Sequence, residues 1–166
     1  MESEKIKSQA ELLKIINILR KEGKRIVFAR GCFDLFHPGH LYYLKEAKAL
    51  GDILVVWVNT DQSVRELKGK KRPLFSEQER MDFLANLEVV DFVSSFGHRE
   101  GLDIIQRFKP EIVALNRVSP EYQRAVQACK GKIAIILLFK KYSTTKIINQ
   151  ISKTLWLKNQ RSQPQK

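Results

Sequence analysis

Apolar residues in this chain alternate between short continuous runs and segments with helical spacing. The runs have the length and composition of buried strands, and they fall at residues 25–29, 52–59, 91–96, 111–116 and 132–139. Segments with helical periodicity precede, separate and follow these runs. The pattern therefore predicts a single α/β domain with a doubly wound parallel sheet of about five strands.

Capping residues mark several of the predicted helix starts. Two segments have the spacing of a capping box, Ser8 with Glu11 and Ser76 with Glu79. We expect Asp61 to cap the short helix after the second strand, Ser119 to begin a helix that runs to about Lys130, and Ser143 to cap the last helix. The domain is expected to span residues 1–157, with its core at about 10–152, and residues 158–166 are expected to form a disordered basic tail.

Composition narrows the class of protein. A chain of 166 residues with 43% hydrophobic content can bury a sizeable core without disulfides or metals. Two cysteines and no targeting motif indicate a reduced, cytoplasmic protein, and the apolar runs are too short to span a membrane. The formal net charge of +12 suggests anionic ligands, but the basic residues are scattered, which disfavours nucleic acid and favours small phosphate ligands.

The first strand leads into a ten-residue segment that carries the most chemistry, residues 31–40, Gly-Cys-Phe-Asp-Leu-Phe-His-Pro-Gly-His. Pro38 suits the first position of a helix, so His37 and His40 lie at a helix N-terminus, where backbone N–H groups and the helix dipole favour an anion. Helix capping is an alternative use of these histidines. A zinc site is another, but zinc needs three or four ligands, and neither His98 nor the two cysteines complete a ligand spacing.

This segment resembles the signature of the small nucleotidylyltransferases, and residues 10–152 resemble the adenylyltransferase domain of bacterial ADP-heptose synthase. Glycerol-3-phosphate cytidylyltransferase is a more distant likeness. Further matching motifs are Leu67-Lys68-Gly69, Arg72-Pro73, Asn59-Thr60-Asp61, Glu79-Arg80-Met81, Val90-Asp91-Phe92-Val93 and Ser143-Thr144-Thr145. The resemblance implies a Rossmann-like fold, a homodimer, and an enzyme that transfers AMP from ATP to D-glycero-D-manno-heptose 1-phosphate and releases pyrophosphate.

Nucleotidyl transfer needs no general base, because the attacking phosphate is already an anion, so catalysis depends on positioning and on neutralising charge. The resemblance and this chemistry assign catalytic contacts to His37, His40, Lys68 and Arg80. Nucleotide-binding residues are expected to be Gly31, Cys32, Phe33, Gly39, Asn116, Arg117, Ser143, Thr144 and Thr145. Asp34, Asp61 and Lys70 are expected to bind the acceptor, although Asp34 could instead fix its loop through an Asx turn.

Mg²⁺ is expected to accompany ATP or CTP, bound by phosphates and water and without a dedicated protein site. The main departure from the heptose family follows the fourth strand. A Lys-Gly-Gly-Asp-Tyr-like segment there is replaced by Ala114-Leu115-Asn116-Arg117-Val118. Either Asn116 and Arg117 contact the nucleotide in its place, or activity is reduced. A cytidylyltransferase acting on glycerol 3-phosphate or another polyol phosphate, and a non-catalytic nucleotide-binding relative, therefore stay open as alternatives.

Overall fold

The structure, a computed structural model, describes residues 3–97, 100–137 and 143–161. Its centre is a five-stranded sheet in the order β3-β2-β1-β4-β5, in which every neighbouring pair is parallel. The strands are β1 Ile26–Gly31, β2 Ile53–Asn59, β3 Phe92–Phe96, β4 Ile112–Leu115 and β5 Lys132–Ile135. The predicted single-domain α/β fold with a doubly wound parallel sheet is confirmed.

Helices connect the strands and follow the last one. They are α1 Gln9–Lys21, α2 Pro38–Lys48, α3 Asp61–Lys68, α4 Glu77–Ala85, α5 Gly101–Phe108, α6 Pro120–Ala128 and α7 Thr144–Arg161. Both predicted capping boxes form, at the starts of α1 and α4. These caps satisfy backbone N–H groups that have no partner inside the helix.

The start of α3 differs from the prediction. Thr60, not Asp61, is the N-cap, because its side-chain oxygen accepts the N–H of Ser63, while Asp61 is the first helical residue. The Asp61 carboxylate instead accepts a hydrogen bond from Arg80. The cap is therefore one residue earlier, and the acidic side chain is left for a tertiary contact.

Three predicted boundaries also move. Helix α6 ends at Ala128 instead of near Lys130, which has a positive φ of 61°. Strand β5 ends at Ile135, and part of its predicted extension to residue 139 lies outside the described residues. Helix α7 continues to Arg161, so residues 158–161, which we expected in the tail, are helical; Lys, Gln and Arg among them are good helix formers. Residues 162–166 lie outside the described part of the chain.

Two apolar clusters cover the two faces of the sheet. Side chains of β1 alternate between them, so that Val27 and Ala29 join one cluster with α2 and α4, and Ile26 and Phe28 join the other with α1, α5 and α6. Burial on both faces explains the continuously apolar strands. Ligands in such sheets bind at the carboxyl edge of the strands. Among the described helices, none combines the length and apolar character needed to cross a membrane.

Candidate active site

A cavity of about 310 Å³ lies at the carboxyl edge of the sheet, above β1 and β4. Most of the residues predicted to bind ligand line it: Gly31, Cys32, Phe33, Asp34, His37, His40, Lys68, Asn116, Ser143, Thr144 and Thr145. These residues come from four separate parts of the chain. The fold therefore brings together motifs that are far apart in sequence.

The two histidines form a stacked pair at the start of α2. Their ring centroids are 3.8 Å apart with an interplanar angle of 10°. His37 is the N-cap, since its Nδ1 accepts the backbone N–H of His40 at 3.3 Å. The rings of Phe33 and Phe36 lie 5.3 and 5.5 Å from the His40 ring. His37 thus caps α2 and also lines the cavity.

Both imidazoles are neutral near pH 7. Burial lowers the pKa of His40 to about 3, with His37 making a smaller contribution, and burial also lowers the pKa of His37. Because Nδ1 of His37 accepts a hydrogen bond, its proton is on Nε2. Nδ1 of His40 is buried without a partner among the described residues, which also favours the proton on Nε2. The pair therefore offers uncharged N–H donors.

Helix α7 brings a second helix N-terminus to the cavity. The Ser143 hydroxyl accepts the N–H of Lys146 at 3.2 Å, which confirms the predicted cap. The Thr144 hydroxyl donates to the carbonyl of Leu35 at 3.3 Å and so ties this turn to the motif loop. Because α2 and α7 both begin here, two sets of unpaired backbone N–H groups favour an anionic ligand in the cavity. Lys140 and Lys141, whose position beside Ser143 also suggests phosphate contacts, lie outside the described residues, as does His98.

Lys68 ends α3 and lines the cavity, whereas Lys70 is exposed and is not part of the lining. Gly69 between them has φ of 96°, a conformation that L side chains rarely adopt. Helix α3 ends between the two lysines, with Gly69 as its C-cap. Of the two cations predicted on this loop, the geometry supports a ligand contact for Lys68.

Asp34 is buried, and its carboxylate is occupied by protein donors. It accepts hydrogen bonds from the guanidinium of Arg72 and from the backbone N–H groups of Leu74 and Phe75, the latter two at 2.6 and 3.2 Å. Of the two alternatives for Asp34, acceptor binding and an Asx turn, the Asx turn does not form, because the donors lie about forty residues away in the sequence. Asp34 does fix a loop, but it is the distant segment that contains Arg72. Arg72 itself lines the cavity, although we assigned it no role from the sequence.

Arg80 does not face the cavity, contrary to its predicted catalytic contact. Its side chain is 1% exposed. The guanidinium donates to the carbonyls of Cys32 and Phe75 at 2.6 and 3.1 Å and to the Asp61 carboxylate at 2.7 Å. These contacts connect the motif loop, the segment after Pro73 and the start of α3. The arrangement gives Arg80 a positioning role, and it engages Asp61 with the protein instead of an acceptor.

The segment after β4 is only partly in the cavity. Asn116 lines it, whereas Arg117 is exposed and is not among the lining residues. Gly39 is buried in the first turn of α2, outside the lining. Besides Arg72, sequence reasoning missed two lining residues, Arg30 and Tyr43.

Tyr43 fixes the edges of two strands below the cavity. Its hydroxyl donates to the carbonyl of Ala114 at 2.7 Å and accepts the N–H of Arg30 at 3.3 Å, and burial raises its pKa. Its helical position beside the buried Leu44 and Ala47 was the available signal. A cluster of three or more His, Cys, Asp or Glu side chains able to hold a metal ion does not occur in the described residues.

Comparisons with known proteins agree with this geometry. A family model described as cytidylyltransferase-like matches residues 28–150. The bifunctional protein HldE of Pelobacter propionicus is 42% identical over 151 residues, which cover 89% of this chain and 31% of that protein. HldE of Nitrosococcus oceani is 44% identical over 152 residues, with 89% and 32% covered. The chain thus spans about a third of the length of the curated relatives it matches.

Two solved structures share the fold. A lipopolysaccharide core biosynthesis protein from Thermoplasma volcanium has a TM-score of 0.62 and 34% identity, covering 73% of this chain and all of that one. Pantoate-β-alanine ligase from Francisella tularensis, solved with β-γ ATP and β-alanine, has a TM-score of 0.53 and covers 89% of this chain and 77% of that one. At 17% identity, that second likeness concerns the fold alone. The family match over most of the chain, the relatives above 40% identity and the histidine pair at the sheet edge together place this chain in the cytidylyltransferase-like family of nucleotidyltransferases.

Proposed function

We propose that this chain transfers AMP from ATP to a sugar phosphate, D-glycero-D-manno-heptose 1-phosphate, releasing pyrophosphate and forming ADP-heptose. An oxygen of the acceptor phosphate forms a bond to the α-phosphorus of ATP. The bond from that phosphorus to the β-phosphate bridging oxygen breaks, and pyrophosphate leaves with the electron pair. No proton has to be removed from the nucleophile, so the chain needs donors and cations more than it needs a base.

The observation that carries the proposal is the stacked histidine pair in a cavity that also receives the start of α7. Two neutral N–H donors at the N-terminus of α2 suit the α-phosphate and the leaving oxygen, where negative charge grows in the transition state. Hydroxyl and backbone N–H groups at Ser143–Thr145 suit the β- and γ-phosphates. These donors are held by helix caps before any ligand binds, so little reorganisation is required.

Cations at the end of α3 and on the loop that follows it suit the acceptor side of the reaction. Lys68 and Arg72 both line the cavity, and Arg72 is kept in place by the buried carboxylate of Asp34. A lysine at the junction of a helix and a loop can approach the phosphates when the loop closes over the ligand. In this arrangement Lys68 neutralises charge that develops in the transition state, and Asp34 acts through Arg72 instead of contacting the sugar.

Mg²⁺ fits this site as a companion of the triphosphate. Asp34 is the one carboxylate among the described residues that line the cavity, and it is already bonded to Arg72 and two backbone N–H groups. The ion would therefore be held by phosphate oxygens and water, and it would supply charge neutralisation. Lys68, the histidines and the α7 turn bind and orient the phosphates around it.

The choice of substrates rests on relatives. The 42% identity to a bifunctional protein HldE and the likeness to a lipopolysaccharide core biosynthesis protein support a sugar phosphate acceptor. The resemblance to the adenylyltransferase domain of ADP-heptose synthase supports ATP and a heptose. A homodimer and a cytoplasmic location, implied by the resemblance and by composition, stay predictions.

A pyrophosphate-release screen tests the proposal. Each of four nucleoside triphosphates is combined with a panel of sugar 1-phosphates and polyol phosphates in the presence of Mg²⁺. We expect release with ATP and the heptose 1-phosphate, and ADP-heptose by mass spectrometry. Release that requires CTP and glycerol 3-phosphate would replace the proposal with the cytidylyltransferase alternative. Nucleotide binding with no release in any combination would indicate a non-catalytic relative.

A further inference from the structure

Among the described residues, two arginines line the cavity: Arg72, which is bonded to Asp34, and Arg30, which the sequence does not single out. Arg117 is exposed outside the lining, whereas Arg30, near the end of β1, belongs to it. Strands β1 and β4 are paired, with Ala29 beside Ala114, so Arg30 and Asn116 lie at the carboxyl edges of neighbouring strands. Both side chains line the same cavity. An arginine and an amide thus line the cavity from the ends of neighbouring strands.

The Arg30 side chain contacts aromatic rings of β3 and α6. Its guanidinium carbon lies 4.5 Å from the centroid of the Tyr122 ring and 5.9 Å from that of Phe96. A Cβ placed on Gly101 would lie 2.9 Å from Nη1 of Arg30, so the first residue of α5 leaves room for the guanidinium by having no side chain. These contacts restrict the conformations that an exposed arginine would otherwise sample.

Arg30 is also separated from the phosphate-binding groups. It is two residues after Phe28, so it projects to the sheet face that α5 and α6 cover. Helix α2, which carries the histidine pair, packs on the opposite face with Val27 and Ala29. For a nucleotide whose phosphates lie at the start of α2, the base would have to cross the edge of β1 to reach Arg30.

The geometry points to Arg30, held by Tyr122, as the residue on which the nucleobase stacks, with Asn116 contacting the edge of the base. A planar guanidinium stacked on an aromatic ring presents its other face for a second planar group. An amide offers both a donor and an acceptor to a base edge. This inference rests on the proposed function, and it makes Arg30 a specificity residue and Tyr122 a positioning residue.

Binding measurements with and without a base test the assignment. The affinities of ATP, CTP and inorganic tripolyphosphate for the intact chain are measured by calorimetry, for the wild type and for Arg30→Ala. Loss of a stack should weaken ATP binding by about 5- to 30-fold and leave tripolyphosphate binding within about twofold. Arg30→Lys, which keeps the charge but not the plane, should behave like Arg30→Ala for ATP.

Two further variants separate specific from general effects. Arg124→Ala removes an exposed cation of α6 that does not line the cavity and should leave all three affinities unchanged. Tyr122→Leu should weaken ATP binding while tripolyphosphate binding persists, because the guanidinium loses its support. Thermal unfolding of each variant without ligand shows whether the fold is retained.

The failures are distinguishable. Equal losses for ATP and tripolyphosphate in Arg30→Ala would make Arg30 a phosphate contact and overturn the inference. If the wild type binds ATP and Arg30→Ala binds it equally well, Arg30 only packs on Tyr122 and does not contact the base. That result would overturn the inference but not the proposed function. A wild type that binds no triphosphate would refute the proposed function and this inference together.

Discussion

Arg80→Ala removes a buried guanidinium that connects three segments around the motif loop. The side chain donates to the carbonyls of Cys32 and Phe75 and to the carboxylate of Asp61. Arg80 is 2% exposed, so both carbonyls lose a charged donor in a place that water reaches poorly. If Arg80 positions the loop, the variant should lose stability before any ligand is added.

The expected loss follows from these contacts. A hydrogen bond to a charged group contributes about 1.5–3 kcal/mol, and three such bonds would sum to more than a single substitution usually costs. Asp61 is 31% exposed and regains water when Arg80 is removed, so its contribution is discounted. We therefore expect the free energy of unfolding to fall by about 3–5 kcal/mol, mainly from the two charged hydrogen bonds to the carbonyls.

Urea unfolding followed by circular dichroism measures this change. Gln78→Ala is a matched control, because Gln78 lies on the exposed face of the same helix and should change the free energy of unfolding by less than about 0.5 kcal/mol. Arg80→Lys should fall between the two, since lysine keeps the charge but cannot reach three acceptors. An Arg80→Ala protein as stable as the wild type, yet defective in transfer, would refute the positioning role and support direct phosphate contact.

Three further outcomes follow from the site. Lys68→Ala should lower the limiting rate of pyrophosphate release more than it lowers ATP affinity, whereas Lys70→Ala should change neither quantity. If Lys68→Ala loses ATP affinity but keeps its limiting rate, Lys68 is a simple binding residue. Asp34→Asn breaks the buried ion pair with Arg72, so it should lower the free energy of unfolding by about 3 kcal/mol and make residues 69–75 accessible to proteases. Equal rates of cleavage in the wild type and the variant would contradict this prediction. In the ligand-free protein the pKa of His40 is lowered, so between pH 6.5 and 5 the unfolded state binds a proton at this residue and the folded state does not. The free energy of unfolding should therefore fall over that window by about 2 kcal/mol more for the wild type than for His40→Gln, as denaturation curves of both proteins would show.

The predictable parts of the structure were those encoded over short stretches of sequence. Continuous apolar runs predict the parallel strands, and serine with glutamate three residues later predicts the capped starts of α1 and α4. The histidine pair is likewise local, since His37 caps the helix in which His40 follows it by three residues. Local spacing therefore gives most of the fold and the phosphate-binding end of the site.

Roles that depend on distant partners could not be predicted in this way. The acceptors of Arg80 include Cys32, 48 residues away, and the donors to Asp34 lie 38 to 41 residues away. Strand alternation predicts the face of the sheet on which Arg30 lies. It does not predict the contact with Tyr122 or the space that Gly101 leaves for the guanidinium. Arg80 and Asp34, which we expected to contact ligand, are instead bonded to other parts of the protein. Two arginines without an assigned role, Arg30 and Arg72, line the cavity.

The most direct test of the central claim is the rate constant of transfer in His40→Ala. With saturating ATP, Mg²⁺ and heptose 1-phosphate, pyrophosphate release is measured for the wild type and the variant, and circular dichroism and thermal unfolding verify that the variant is folded. Loss of one transition-state donor should lower the rate about 10²- to 10³-fold while ATP affinity changes little. A folded His40→Ala protein that releases pyrophosphate at nearly the wild-type rate would contradict the account and reduce the histidine pair to the capping of α2.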